Sequence, residues 1–199
     1  AALLELAQQL AAAKRGGEGW QIASKTFRHT AGAAQYEIDR SLSVLGVSRL
    51  ALYQLHDIST PEAWEAVTAE GGALDGLKTA QYRGLIGHIG ISTHSLEIAR
   101  HAILSGEFDS APLIDLAAEH DVGVIAMRPV GGSGRTTTMR GNIARGTAGL
   151  LTPANLLRYV LSNPGVSIAI PGARYPSRVF ENVATALAFE PMTESQGRQ

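Results

Sequence analysis

Apolar positions along this chain recur with two alternating periods, and the alternation defines a succession of helices and strands. Leu3, Leu6 and Leu10 fall at helical spacing, and Lys14-Arg15 before Gly16-Gly17 supplies a basic last turn and a stop. Trp20 to Lys25 (WQIASK) is a short, mostly apolar run ending in polar residues, as a buried parallel strand would. Ile38, Leu42 and Leu45 then share one face of a helix closed by Gly46. Arg49 to Leu55 (RLALYQL) predicts the second strand. Thr60-Pro61-Glu62 opens a helix with a capping hydroxyl, proline at the first helical position and acid in the first turn. The second half of that helix (Leu74, Leu77, Lys78) stops at Gly84, and Leu85 to Ile91 (LIGHIGI) forms the third strand. Ser95 caps the next helix, whose Ile98, Ala102 and Ile103 face inward before Gly106.

The rhythm then breaks. From Phe108-Asp109 the chain passes through Ser110-Ala111-Pro112 directly into a helix (Leu113, Leu116, Ala117, His120), so a strand is missing between two consecutive helices. Val122 to Val130 (VGVIAMRPV) predicts the fourth strand. The Gly- and Thr-rich stretch from Gly131 to Gly149 has no apolar periodicity and reads as a long loop. Thr152-Pro153 starts a helix carrying Leu156, Leu157, Val160 and Leu161, Val166 to Ile170 is the fifth strand, and Pro176 opens a last helix bearing Val179, Val183 and Leu187. Beyond the βα rhythm there is no internal repeat.

Strands alternating with helices imply a parallel sheet with right-handed crossovers, either a barrel or an open doubly wound sheet. Both architectures place their chemistry at the carboxyl ends of strands. The residues to inspect are therefore Ser24-Lys25, His56-Asp57, Ser92-Thr93-His94, Pro129-Val130-Gly131 and Pro171-Gly172-Ala173. These ends are rich in polar residues and glycine.

Composition narrows the classes. Among 199 residues, 17 Lys+Arg against 18 Asp+Glu give a net charge of -1, which offers no long-range pull toward nucleic acid or an anionic membrane. The absence of cysteine excludes disulfide frameworks, thiolate metal sites and cysteine nucleophiles, and fits a cytoplasmic protein. His29, His88, His94, His101 and His120 show no metal-ligand spacing with acidic partners. The opening AALLELAQQLAAAK lacks the basic start and small-residue cleavage site of a signal peptide and reads as an amphipathic helix. A complete α/β barrel needs about 250 residues, so a single barrel domain over 1–199 would be short.

Five segments, in order and at sensible spacing, carry a likeness: SK at the end of the first strand, LALYQLH, GLIGHIGIS, GVIAMRP, and IPGARYPSRVFEN near the C-terminus. Together they resemble the aldo-keto reductase family. The resemblance implies a (β/α)8 TIM barrel that binds NADP and reduces a small-molecule aldehyde or ketone by hydride transfer. The family's catalytic Lys and His match Lys25 and His56. Carbonyl reduction needs a proton on oxygen, and a tyrosine supplies one near neutral pH only if a nearby ammonium lowers its pKa. Lys25 is expected to be that cation, and His56 to bond and orient the carbonyl.

For the cofactor, Ser92 matches a position that contacts the nicotinamide carboxamide, its plain alternative being helix capping. Arg174 and Arg178 flank a helix start, where exposed amides and guanidinium groups suit the 2′-phosphate of NADP. Glu181 and Asn182 match the family's adenine-contacting acid and amide, and Gly172 permits close backbone approach. Val130 and Gly131, with the loop beyond, would cover the pyrophosphate.

The chain also departs from the family pattern. Two strands of that pattern, with the catalytic Asp and Tyr on the second, precede the point where these residues begin, and the strand near 109–112 is lost. Five of eight strands are identifiable. The abrupt start inside a helix and the clean loss of one strand are expected to reflect residues missing from this stretch, the alternative being a truncated, degenerate protein that cannot run the reaction. Tyr53 lies inside a strand, Tyr36, Tyr82 and Tyr159 belong to helices, and Tyr175 sits at the cofactor end, so none replaces the catalytic tyrosine. The rival expectations are a non-catalytic NADP-binding barrel acting as a sensor or regulatory subunit, and a phosphate-binding barrel lyase or isomerase. Oligomeric state stays open.

Overall fold

The structure is a computed structural model that describes residues 21–130, 133–147, 149, 151–173 and 175–193, with backbone alone at 133–136. The helix expected around Leu3 to Leu10 lies outside these residues, as does Trp20 at the start of the first strand. The chain divides into two compact units, Ala1–Val122 and Gly123–Gln199.

In the first unit the described elements run β1 (Ala23–Thr26), α1 (Ala31–Leu45), β2 (Leu50–Leu55), α2 (Pro61–Thr68), α3 (Ala73–Tyr82), β3 (Ile86–Ile91), α4 (Leu96–Ser105) and α5 (Ile114–Glu119). The three strands form one parallel sheet in sequence order, with Lys25 opposite Gln54 and Gln54 opposite Gly90. Side chains alternate across a sheet. The row Ser24–Tyr53–Ile89 therefore faces one side and the row Lys25–Gln54–Gly90 the other. Ser24 bonds Ser41 of α1 through their hydroxyls at 3.3 Å, which identifies the first side as the helix-covered one. The core sits there, built from Tyr53, Leu55, Ile89 and Ile91 of the sheet with Ala34, Ile38, Leu74 and Leu77 of α1 and α3, all buried.

Helix ends follow the sequence signals. Gly46 adopts φ +63°, and its N–H and that of Val47 bond the Ser43 and Leu42 carbonyls at 3.3 and 3.1 Å, closing α1 as a left-handed glycine cap. The Thr60 and Ser95 hydroxyls accept from the amides of Ala63 and Ile98 at 3.2 and 3.3 Å. One expectation is corrected: the helix from Thr60 to Gly84 is two helices. Gly71, at φ +75°, breaks it, and the freed backbone pairs with the start of α1, where Ala31 N–H bonds the Gly71 carbonyl and Ala73 N–H the His29 carbonyl, both at 2.9 Å. Tertiary pairing thus replaces the intrahelical bonds that a continuous helix would have made.

The missing strand is also corrected, in part. Ser110 forms a parallel bridge to Gly90, beside β3, where the next strand of the sheet would run. Asp109 N–H bonds the Ile89 carbonyl at 2.7 Å, Ile91 N–H bonds the Ser110 carbonyl at 3.0 Å, and Ile89 N–H bonds the Asp109 carboxylate at 2.8 Å. A side chain stands in for a backbone acceptor, so the β3 edge stays paired although two residues are all that remain of the strand. Phe108, buried, packs its ring 6.0 Å from that of Trp64 on α2 and anchors this remnant.

The second unit holds β4 (Ile125–Met127), α6 (Ser133–Ala144), α7 (Pro153–Leu161), β5 (Ile168–Ile170) and α8 (Pro176–Leu187), with β4 and β5 parallel. Helix α6 corrects the long loop expected over Gly131 to Gly149. Its sequence is polar and Thr-rich, and the apolar pair Met139 and Ile143, four residues apart, is its faint helical signal; Met139 is buried. The Thr152 hydroxyl accepts from the Asn155 amide at 3.1 Å and starts α7, and Pro176 occupies the first turn of α8. Val179, Val183 and Leu187 of α8 are exposed within the described residues.

Candidate active site

The carboxyl ends of β1, β2 and β3 carry the first group of expected residues. Two positions beyond Gln54 and Gly90 come His56 and Ser92, and two beyond Lys25 comes Phe27, so period-2 alternation puts Phe27, His56 and Ser92 in one row on the face that carries Lys25. Contacts bear this out. The Phe27 and His56 rings meet edge to face with centroids 4.5 Å apart, and the Ser92 hydroxyl lies 2.6 Å from His56 Nδ1. His56 N–H bonds the Thr26 carbonyl at 2.8 Å, which fixes the backbone from which the ring projects.

The loops after β2 and β3 are joined at several points. Ser92 Oγ accepts from Asp57 N–H at 3.1 Å, Ile58 N–H bonds the Ser92 carbonyl at 3.0 Å, and His94 N–H bonds Ser59 Oγ at 3.0 Å. The Ser59 hydroxyl in turn donates to the Asp57 carboxylate at 2.9 Å. Asp57 itself adopts φ +60°, a left-handed conformation that aspartate tolerates and most residues do not. A residue in that region re-aims the chain immediately after His56, and its amide is thereby turned onto Ser92. The sequence singles out His56 and Ser92 and places Asp57 among the strand-end residues to inspect, but it gives no comparable signal for Phe27 or Ser59.

Ser92 is buried and does not cap a helix, since Ser95 caps α4. Lys25 is exposed and makes no ion pair among the described residues. Tyr53, on the helix side, is fully buried, and burial pushes its hydroxyl pKa up, with the Ser41 hydroxyl nearby offsetting part of that rise. An acid that must give up a proton near neutrality needs the opposite shift, so Tyr53 is unsuited to that role.

The second group lies in the second unit and is described by itself. Gly131 and Arg174 fall outside the described residues. Val130 is buried, whereas Gly172 is exposed and has open space where a Cβ would sit. Tyr175 precedes α8 without a side-chain acceptor for the first amides, and Arg178 stands in the first turn. Glu181 accepts from Arg140 through both oxygens, at 3.2 and 2.6 Å, and from Arg178 at 3.4 Å. The Arg140 hydrogen bonds, followed by the charges of Arg140 and Arg178, hold the Glu181 carboxyl below the usual carboxylate range. Two guanidinium groups share one carboxylate and leave one net positive charge beside a helix start, a setting that favours a phosphate. Asn182 is half-buried next to this network. Arg140 carries no signal in the sequence, because the stretch from Gly131 to Gly149 lacks the apolar periodicity that marks a helix.

Among the described residues no three His, Asp or Glu side chains gather as a metal site, and no helix is long and apolar enough to cross a membrane.

Parallel strands with helical crossovers and polar carboxyl ends define an α/β protein of the (β/α)8 barrel class, present here in part. The sequence matches the aldo/keto reductase family over residues 3–198, and the chain belongs to that family of oxidoreductases. Solved structures of similar fold include aldo-keto reductase AKR11C1 from Bacillus halodurans (TM-score 0.72, 16% identity, covering 98% of this chain and 75% of that one). An aldo-keto reductase, MGS-M4, from a Medee basin deep-sea metagenome library also has a TM-score of 0.72, at 14% identity, covering 96% of this chain and 75% of that one. An aldo/keto reductase from Brucella melitensis has a TM-score of 0.67 at 17% identity, covering 96% and 77%. No curated protein matches the chain.

Proposed function

We propose that the chain serves an NADPH-dependent reduction of an aldehyde or ketone to an alcohol in the cytoplasm, with Lys25 and His56 as catalytic positions. The row that carries His56 beside Ser92, on the same sheet face as Lys25, is the observation that supports this reading. Reduced nicotinamide, when bound, supplies the hydride. As hydride reaches the carbonyl carbon, negative charge grows on the oxygen, and fixed donors aimed at that oxygen lower the barrier most. The His56 imidazole meets the oxygen as a hydrogen-bond donor. The Lys25 ammonium lowers the pKa of the acid that protonates it. No residue of the chain matches the family's catalytic Asp and Tyr.

In the second unit, Gly172, Arg174 and Arg178 at the start of α8 suit the 2′-phosphate of NADP, with Glu181 and Asn182 beyond them and Val130 and Gly131 toward the pyrophosphate. The uncapped helix start, the open space at Gly172 and the excess of guanidinium over carboxylate fit a doubly charged anion. Both Glu181 oxygens are engaged by arginines, so its part is to orient those cations.

The test combines NADPH binding, read by fluorescence quenching, with oxidation of NADPH by a reactive aldehyde. Turnover that Lys25→Met abolishes while binding persists supports the proposal. Binding without turnover in the unaltered chain would leave a non-catalytic sensor, and no binding at all would overturn both.

A further inference from the structure

The structure assigns to Ser92 the selection of the His56 tautomer: its hydroxyl donates to Nδ1 and so keeps the ring proton on Nε2. The Ser92 hydroxyl has a single hydrogen to give and two lone pairs with which to accept. One lone pair is engaged by Asp57 N–H at 3.1 Å. Its remaining side-chain contact among the described residues is His56 Nδ1, at 2.6 Å. Ser92 is 3% exposed, so a hydrogen turned away from Nδ1 would be buried without an acceptor. The satisfied arrangement is therefore Ser92 O–H to an unprotonated Nδ1. The proton of the neutral ring then resides on Nε2, at the far side of the imidazole from Ser92.

The Asp57 amide makes this choice firmer. Held by the left-handed turn at φ +60°, it donates to Ser92 Oγ and polarises the hydroxyl, which strengthens the bond that hydroxyl gives. The Phe27 ring, edge to face against the imidazole, opposes the ring flip that would put Cδ2 in place of Nδ1 against Ser92. Ser92 thus acts through His56 as a positioning residue, a role distinct from contact with the nicotinamide. The functional consequence rests on the proposed reductase reading: a carbonyl oxygen needs a donor, and Nε2–H is one, whereas the other tautomer would present a lone pair and repel it.

Nitrogen-15 NMR of the histidine side chains in the whole chain tests the assignment without any turnover. The His56 signals are identified by their loss in His56→Gln. In mildly alkaline solution the unaltered chain should show one protonated ring nitrogen, Nε2, and one unprotonated hydrogen-bonded nitrogen, Nδ1. Ser92→Ala should collapse that separation toward the average of the two tautomers, and Ser92→Thr, which keeps the hydroxyl, should restore it. A protonated Nδ1 in the unaltered chain, or an undisturbed Nε2–H tautomer in Ser92→Ala, would overturn the inference. If the tautomer is as assigned and no aldehyde is reduced, the inference stands and the reductase reading falls.

Discussion

Arg140 of α6 grips both carboxylate oxygens of Glu181 on α8, at 3.2 and 2.6 Å, and Arg178 shares one of them. The bond ties a helix of weak amphipathic pattern to its neighbour by charge. Glu181 has its carboxyl pKa lowered from an ordinary 4.5 in the folded state. A depressed folded pKa contributes stability that is present above the ordinary value and is lost as pH falls through the lowered one. The side chains are 24% and 35% exposed, so the contribution is screened and stays below about 1 kcal/mol. Glu181→Gln should lower the thermal midpoint slightly at neutral pH, and the gap from the unaltered chain should close in acid. A gap that widens in acid would contradict this account.

Gly90 is where β3 and the strand remnant come closest. A Cβ there would collide with the Ser110 hydroxyl oxygen and sit 3.0 Å from Gln54 Cγ. Ser110 is buried, and Leu52 Cδ1, at 3.2 Å, crowds the same space. Gly90→Ala should cost about 1–3 kcal/mol, as overpacked sites do. Amide exchange should rise at Ile91, whose N–H is bonded to the Ser110 carbonyl.

Asp57 combines a positive φ with an acceptor for Ser59. Asn keeps both properties and should leave urea midpoints nearly unchanged. A β-branched residue keeps neither, and Asp57→Val should cost about 1–2 kcal/mol from the left-handed backbone alone. Loss of aldehyde reduction in Asp57→Val should accompany the structural cost, because the Asp57 amide supports Ser92.

The hydroxyl of Tyr53 is buried, and although the Ser41 hydroxyl lies nearby, no described residue is within hydrogen-bonding geometry of it. Removing it deletes an unsatisfied polar group without opening a large void. Tyr53→Phe should therefore be neutral or stabilising by up to about 1 kcal/mol, with no change in NADPH oxidation. Loss of activity in Tyr53→Phe would contradict this account.

Much of the fold was legible because its signals are local. The caps at Thr60, Ser95, Thr152 and Gly46 are each set by one or two residues, and β2 and β3 are continuous apolar runs. The break at Gly71 and the helix α6 were not legible, since each is held by partners far along the chain: His29 and Ala31 for the break, Glu181 for Arg140 of α6. The strand remnant at Ser110 likewise exists only because β3 offers an edge to pair with.

The sequence by itself determined the α/β order, the strand ends on which Lys25, His56 and Ser92 stand, and the charged start of α8. Short-range spacing and residue type carry all of these. Only the tertiary structure decided that Ser92 bonds His56, that Asp57 turns its amide onto Ser92, and that Glu181 is shared by two arginines. Hydrogen bonds of that kind depend on register between strands and on distances between elements, quantities that emerge when the chain packs and that no local pattern encodes.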